Sequence, residues 1–288
     1  MQESRAITRK SASNLTLGFF LLPRAKCDAM SVLYALCREV DDVADDESTP
    51  VEQRRVQLNA WREDVRRAAG AETPRFQVNQ ELQPVIHQFR LPLQYLEELI
   101  SGVEMDLDVK RYATYEELDL YCYRVASVVG LLSIEIFGYQ DPACKDYAVA
   151  LGKALQLTNI LRDVRTDAER GRIYFPLSEL QRFQVAESEI LNFQYSPRFQ
   201  ALATSVAGRA RRFYQAARDT LPAVDRRSMM TAELMGSVYW RLLCKLERQQ
   251  FNVFGPEPTR LNKGQKILLV LRTWYRFMSG AITPNYGT

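Results

Sequence analysis

Apolar residues recur along most of the chain at the three-to-four-residue period of a helix, and the strict alternation that marks a strand is nearly absent. Pro23 opens a first long helix, predicted to run to about Glu47. Thr49 and Pro50 supply an N-cap and a first-turn proline for a charged, solvent-facing helix to about Ala69. A polar link over 70–80 ends it. Short helices follow at about 80–90 and 92–107, punctuated by Pro84, Pro92 and Gly102. Thr114 and Glu117 have capping-box spacing and open a helix that ends at Gly138; Asp141 and Pro142 lead into the next, to about Ala168. The stretch 171–197 reads as loop and short helix, a candidate lid. Helices at about 197–220, 225–254 and 264–280 complete the pattern. About ten helices with short connections and no break in composition predict one all-α domain over 1–288.

Two of these helices carry acids where a core helix should be apolar. Tyr34, Arg38, Asp41 and Asp45 are spaced four, three and four, and Gln156, Asn159, Asp163 and Asp167 three, four and four. At ~100° per residue each set shares one stripe. Val32, Leu33, Leu36, Val40 and Val43 surround the first stripe, and Ala154, Leu155, Leu157, Ile160 and Leu161 the second. Neither helix therefore has the polar face of a solvated surface element. Like charges one turn apart repel by ~0.2–0.5 kcal/mol even when exposed, so positive charge belongs between them. Oxygen ligands without a His or Cys cluster suit Mg²⁺, which keeps waters and takes one or two carboxylates plus phosphate oxygens. Asp41, Asp45, Asp163 and Asp167, with Asn159 as a further oxygen ligand, are the candidate metal ligands. A single D-x-x-x-D also fits a solvated face neutralised by Arg38 or Arg162. Two such stripes in apolar helices favour a diphosphate held through several Mg²⁺ ions.

The segments YALCREVDDVADD and QLTNILRDVRTDAERGRIYFP resemble the two aspartate-rich signatures of the squalene/phytoene synthase family, the head-to-head prenyl synthases. The resemblance extends from Ser11 to Arg260, and VEMDLDVKRYATYEELDLYCYRVASVVGLLSIEIFGY is most similar to the bacterial hopanoid-pathway branch that makes presqualene diphosphate. It implies an isoprenoid-synthase-type helical bundle around a central cavity. It further implies a prenyltransferase joining two farnesyl diphosphates, with catalysis resting on Asp41, Asp45, Asp163, Asp167, Arg38 and Tyr121. Ionising an allylic diphosphate needs a cationic end and a dry apolar end. Arg38, Arg162, Arg172 and Arg260 offer guanidinium forks for phosphate oxygens. By resemblance, Ser11 or Ser13 binds the first diphosphate, while Tyr34, Tyr174, Tyr239 and Arg260 close around phosphate oxygens and Gln156 joins the substrate-binding stripe.

The apolar end is predicted from Tyr121, Tyr123, Val125, Ala126, Ser127 and Gly130. There the small residues either leave room for an isoprenoid tail or allow close helix packing. Phe19, Phe20 and Leu22 are tunnel wall or plain core. NADPH reduction onward to squalene stays an open alternative, since no G-x-G-x-x-G or Walker motif is present and relatives that use NADPH lack such motifs too. A phytoene or dehydrosqualene synthase is the alternative within the family. A non-catalytic scaffold relative would be expected to lose acids from one stripe, and all four stand.

Composition narrows the partners. With 47% hydrophobic residues, 25% charged and a net charge of +3, the chain is globular and shows no basic tract of the kind nucleic acid requires. Its five cysteines, Cys27, Cys37, Cys122, Cys144 and Cys244, lack C-x-x-C spacing and read as reduced core residues. The lone histidine, His87, lies between Pro84 and Pro92 and reads as structural. MQESRAITRKSASN is too polar for a signal peptide, and no apolar run is long enough to span a bilayer. The run KILLVLRTWYRFM reads either as an ordinary packed helix or as a surface for peripheral membrane contact. The expected location is cytoplasmic, with peripheral contact at the inner membrane face as the alternative, and downstream pathway enzymes are the expected protein partners.

Overall fold

The computed structural model describes residues 1–10, 18, 19, 21–279 and 284–287. Among them the backbone is helical and no strand forms; two residues, Arg111 and Ile173, make a lone parallel bridge. The helices run α1 (Gln2–Lys10), α2 (Arg24–Asp45), α3 (Val51–Ala69), α4 (Gln77–Phe89), α5 (Leu93–Asp108), α6 (Tyr115–Cys122), α7 (Val128–Phe137), α8 (Cys144–Glu169), α9 (Leu177–Arg182), α10 (Glu187–Leu191), α11 (Pro197–Thr220), α12 (Met230–Arg248) and α13 (Lys263–Met278). Helix α8 is the hub, packed against α7, α11 and α12, while α2 packs against α1, α3, α4, α5 and α7. The residues predicted to surround the acids do enter the core: Val32, Leu33, Leu36 and Val40 on α2 and Ala154, Leu157, Ile160 and Leu161 on α8 are buried.

Four differences from the predicted elements have local causes. Helix α1 was not foreseen because its sequence is polar; tertiary bonds hold it, with Ser4 donating from backbone and hydroxyl to Glu81 and Arg5 pairing with Asp28. The predicted helix 114–138 is interrupted by a π turn, Tyr123–Ser127. A neighbouring helix presses on each side of that turn. A Cβ at Gly102 of α5 would stand 2.7 Å from Arg124 Cβ, and one at Gly152 of α8 2.6 Å from Ser127 Cα. The wider turn lets three backbones meet there.

The predicted helix 225–254 is shorter at both ends. Asp225 instead accepts bonds from the Gln140 and Asp141 amides at 2.7 and 3.0 Å, and Gln250 and Phe251 turn left-handed, with φ of 52° and 57°. The candidate lid begins as an anchored segment: Ile173, Tyr174 and Phe175 are buried, and Ile173 and Leu177 donate to the Lys110 and Tyr112 carbonyls. The stretch Tyr115–Phe137 is long and apolar enough to cross a membrane. Helices α5 and α8 cover its two sides, as befits a core element.

The helices enclose a cavity of about 370 Å³ lined by α2, α5, the π turn, α7, α8 and α12. Along α8 it extends from Tyr147 to Arg162, a rise of ~22 Å. At its far end the Tyr147 hydroxyl donates to Glu233 Oε1 at 2.9 Å, and Tyr286 donates to the same oxygen. Burial pushes the Glu233 carboxyl up to about 7, although both tyrosines favour its ionised form. The folded protein thus holds a proton there that the unfolded chain, titrating near 4.5, releases. Stability from this group is full below pH 4.5, falls as pH rises toward 7 and stays lost above it. Glu233→Gln should therefore melt above the wild type at pH 8 by ~2–4 °C per kcal/mol recovered, with the gap closing at pH 5. Equal melting temperatures at both pH values would show that Glu233 carries no such penalty.

Candidate active site

At the end of the cavity opposite Tyr147 the lining becomes polar. Tyr34, Arg38 and Asp41 face it from α2, Gln156, Asn159 and Arg162 from α8, and Tyr239 from α12. Of the four aspartates only Asp41 lines the cavity; Asp45, Asp163 and Asp167 lie outside its lining, where the C-terminal end of α2 meets the segment that follows α8. Arg170, just beyond α8, donates to Asp45 Oδ2 at 2.7 Å, and Arg172 donates to Asp45 Oδ1 at 3.1 Å. Arg172 is only 7% exposed and also reaches the Asp106 carbonyl at 3.4 Å. It is the positive charge that the facing stripes required. Burial opposes its charge, yet Asp106, Tyr174 and Asp45 outweigh that and hold its pKa above the ordinary arginine value.

The four aspartates divide into two kinds. Asp45 is paired with Arg170 and Arg172, and Asp163 takes a two-pronged bond from its neighbour Arg162, with Nε 2.7 Å from Oδ1. Asp41 and Asp167 make no ion pair among the described residues. Burial pushes Asp41 up to about 7; Arg38 opposes this, while Asp45 and Asp106 add to it. Burial likewise pushes Asp167 up to about 8, with Asp163 and Asp106 adding to it and Arg172 opposing. Each stripe therefore contributes one carboxylate whose charge lacks a partner, as a cation-binding surface requires. Asn159 Oδ1 is buried and accepts no hydrogen bond, an orphaned oxygen at the same mouth. No three acids converge tightly enough to cage a metal by themselves among the described residues. The donor set fits Mg²⁺ that completes its shell with water and phosphate oxygens.

The cationic and tyrosine groups are placed unequally. Arg38 lines the cavity, but its guanidinium turns outward to Asp42, one turn along α2, rather than onto Asp41 or Asp45. Arg162 faces inward; burial opposes its charge, but Asp163 and then Tyr239 hold its pKa above the ordinary value. Tyr121 and Tyr174 are buried beside the cavity rather than lining it. Both hydroxyls donate to Asp106, at 3.0 and 2.8 Å, and their rings stack with centroids 5.1 Å apart. Arg260 is exposed in the loop before α13, does not line the cavity, and its carbonyl accepts from Lys245 at 2.7 Å. Ser11, Ser13 and Phe20 lie outside the described residues.

Sequence reasoning missed Asp106 and Arg170. Asp106 lies in the last turn of α5, in the run MDLD, and its i,i+2 spacing from Asp108 turns the two acids to different faces. Burial raises its pKa, opposed by Arg172 and the two tyrosine bonds.

Beyond the mouth the walls are apolar: Phe19, Leu33, Val125, Val129, Ile134, Phe137, Leu151 and Met235. The small residues both border the cavity and allow close helix packing. Ala126 and Gly130 line the cavity, and a Cβ at Gly130 would stand 2.9 Å from the Ala148 carbonyl oxygen. Ser127 is buried and bonded to the Val149 carbonyl, and Leu22 does not line the cavity. All five cysteines are free thiols, and His87 is exposed on α4, away from the cavity.

An all-helical bundle around a deep apolar cavity with a charged mouth is an isoprenoid-synthase-type fold, as its structural neighbour shows. A dehydrosqualene synthase whose crystal structure holds a ligand superposes with a TM-score of 0.86 at 26% identity, covering 96% of each chain. Residues 8–265 match the squalene/phytoene synthase family, and the chain belongs to it. A phytoene synthase from Arthrospira platensis is 37% identical over 87% of this chain and 85% of its own length. A presqualene diphosphate synthase from Rhodopseudomonas palustris is 36% identical over 88% and 89%. The protein is thus a prenyltransferase of the family that condenses prenyl diphosphates head to head.

Proposed function

We propose that the protein joins two molecules of farnesyl diphosphate into presqualene diphosphate with Mg²⁺. The observation that carries this reading is the cavity itself: a charged mouth lined by Arg38, Asp41, Asn159 and Arg162, continuous with an apolar interior that reaches Tyr147. Mg²⁺, held by Asp41, Asp45, Asp163, Asp167 and the orphaned Asn159 oxygen, would neutralise diphosphate and make it a better leaving group. Arg162 and Tyr239, and Arg38 once released from Asp42, would bind the remaining phosphate oxygens.

The C1–O bond of one substrate breaks and pyrophosphate departs with the electron pair. The C2–C3 double bond of the second substrate attacks C1, and loss of a proton closes the cyclopropane. Two farnesyl diphosphates thus give presqualene diphosphate, pyrophosphate and a proton. No histidine lines the cavity, so pyrophosphate is the proton acceptor in this scheme. The walls from Leu33 to Phe137 exclude water from the cation. The 36% identity to a presqualene diphosphate synthase supports the shorter of the two family substrates. Phytoene synthesis from geranylgeranyl diphosphate is the second reading, favoured by the 37% identity to a phytoene synthase.

Incubation of the purified protein and Mg²⁺ with each diphosphate, with and without NADPH, followed by mass spectrometry, tests the choice. Presqualene diphosphate from farnesyl diphosphate, unchanged by NADPH, is the expected product. Phytoene from the longer substrate alone would replace this reading with the second.

A further inference from the structure

Helix α13 carries an apolar stripe that nothing among the described residues covers. Ile267, Leu268, Leu271, Trp274 and Tyr275 are 59, 66, 57, 49 and 67% exposed. The other exposed large hydrophobic residues, Met1, Val56, Leu120, Leu177, Tyr195 and Val224, sit on separate elements. At ~100° per residue the five side chains of α13 span an arc of about 120°, while buried Leu269 and Thr273 lie on the opposite side against α12. Lys263 and Arg272, both exposed, flank the arc on its two edges. The helix contains four basic residues and no acid. Arg260, exposed in the preceding loop, adds to this charge and, after burial, is what lowers the Lys266 pKa.

We propose that α13 is an interfacial helix that lays its Ile267-to-Tyr275 stripe into the headgroup boundary of an anionic bilayer. An apolar arc rimmed by basic residues matches acyl chains below and anionic headgroups beside it, and Trp274 and Tyr275 have the amphipathic rings that favour that depth. A second copy of the chain fits less well. A two-fold contact would set each basic helix against its own image with no acid to answer it. Helix α12, against which α13 packs, also lines the cavity through Ala232, Met235 and Tyr239, so the bilayer would lie one helix away from the apolar interior. The surface stands on exposure and charge and does not depend on which prenyl diphosphate is the substrate.

Co-sedimentation with vesicles of phosphatidylcholine alone, and of phosphatidylcholine mixed with phosphatidylglycerol, tests it on the full chain. The wild type should bind the mixed vesicles at least about tenfold more tightly, and salt should weaken that binding. Leu268→Asp with Leu271→Asp should abolish binding to both vesicles. Lys263→Glu with Arg272→Glu should remove the preference for the anionic ones. Both variants should keep wild-type turnover in detergent, where no bilayer is needed. A wild type that stays in the supernatant, or an aspartate variant that pellets equally, overturns the proposal. So does a wild-type dimer in sedimentation velocity that the aspartate variant splits, because a second copy would then cover the face.

Discussion

Asp41→Asn lowers turnover by roughly 10²–10³-fold, the range seen when one preorganised electrostatic group is removed, while the metal-free protein melts no lower than the wild type. The two effects part because Asp41 is a carboxylate without an ion pair. Burial pushes it up to about 7, and Asp45 and Asp106 add to that, so its ionised form weakens the fold. An amide keeps the shape and removes the charge, which relieves the burial cost and takes away a metal ligand. Steady-state assays with Mg²⁺ beside thermal melts without it separate the two. Near-normal turnover in the variant would make the α2 stripe structural.

Arg172→Met should cost ~3–5 kcal/mol of stability in the metal-free protein, as expected when one partner of a buried charge cluster is removed. Arg172 bonds Asp45 and the Asp106 carbonyl and moderates Asp106 and Asp167, so its loss leaves Asp45 to Arg170 alone and takes a counter-charge from the other two acids. Mg²⁺ should then return part of the stability, because a cation that binds only the folded state shifts unfolding by mass action. Urea melts with and without Mg²⁺ measure both terms. A variant as stable as the wild type, with no larger response to Mg²⁺, would show that Arg172 does not balance the stripes.

Much of this site was legible because helical periodicity is strict. Spacings of three and four put Asp41 with Asp45, and Asp163 with Asp167, on single stripes, and apolar neighbours told which way those stripes looked. What periodicity along one helix cannot carry is which partner each side chain finds across the bundle. Arg38 shares the α2 stripe but bonds outward to Asp42, whereas Arg172, which lies on no helix, becomes the central counter-charge. Asp106 escaped notice for the same reason: its role depends on tyrosines 15 and 68 residues away. Arg260 was drawn toward phosphate by resemblance, and the structure leaves it exposed beside α13. The π turn at Tyr123 was invisible because glycines on two other helices create it.

The central claim is that the two acidic stripes hold a diphosphate through metal ions. Its most direct measurement is anomalous scattering from crystals grown with Mn²⁺ and a non-hydrolysable farnesyl diphosphate analogue. The account predicts manganese peaks between the analogue's phosphates and carboxylates of both stripes, at Asp41 or Asp45 and at Asp163 or Asp167, with Asn159 Oδ1 turned to one of them. An analogue bound in the cavity with no metal at either stripe would contradict it.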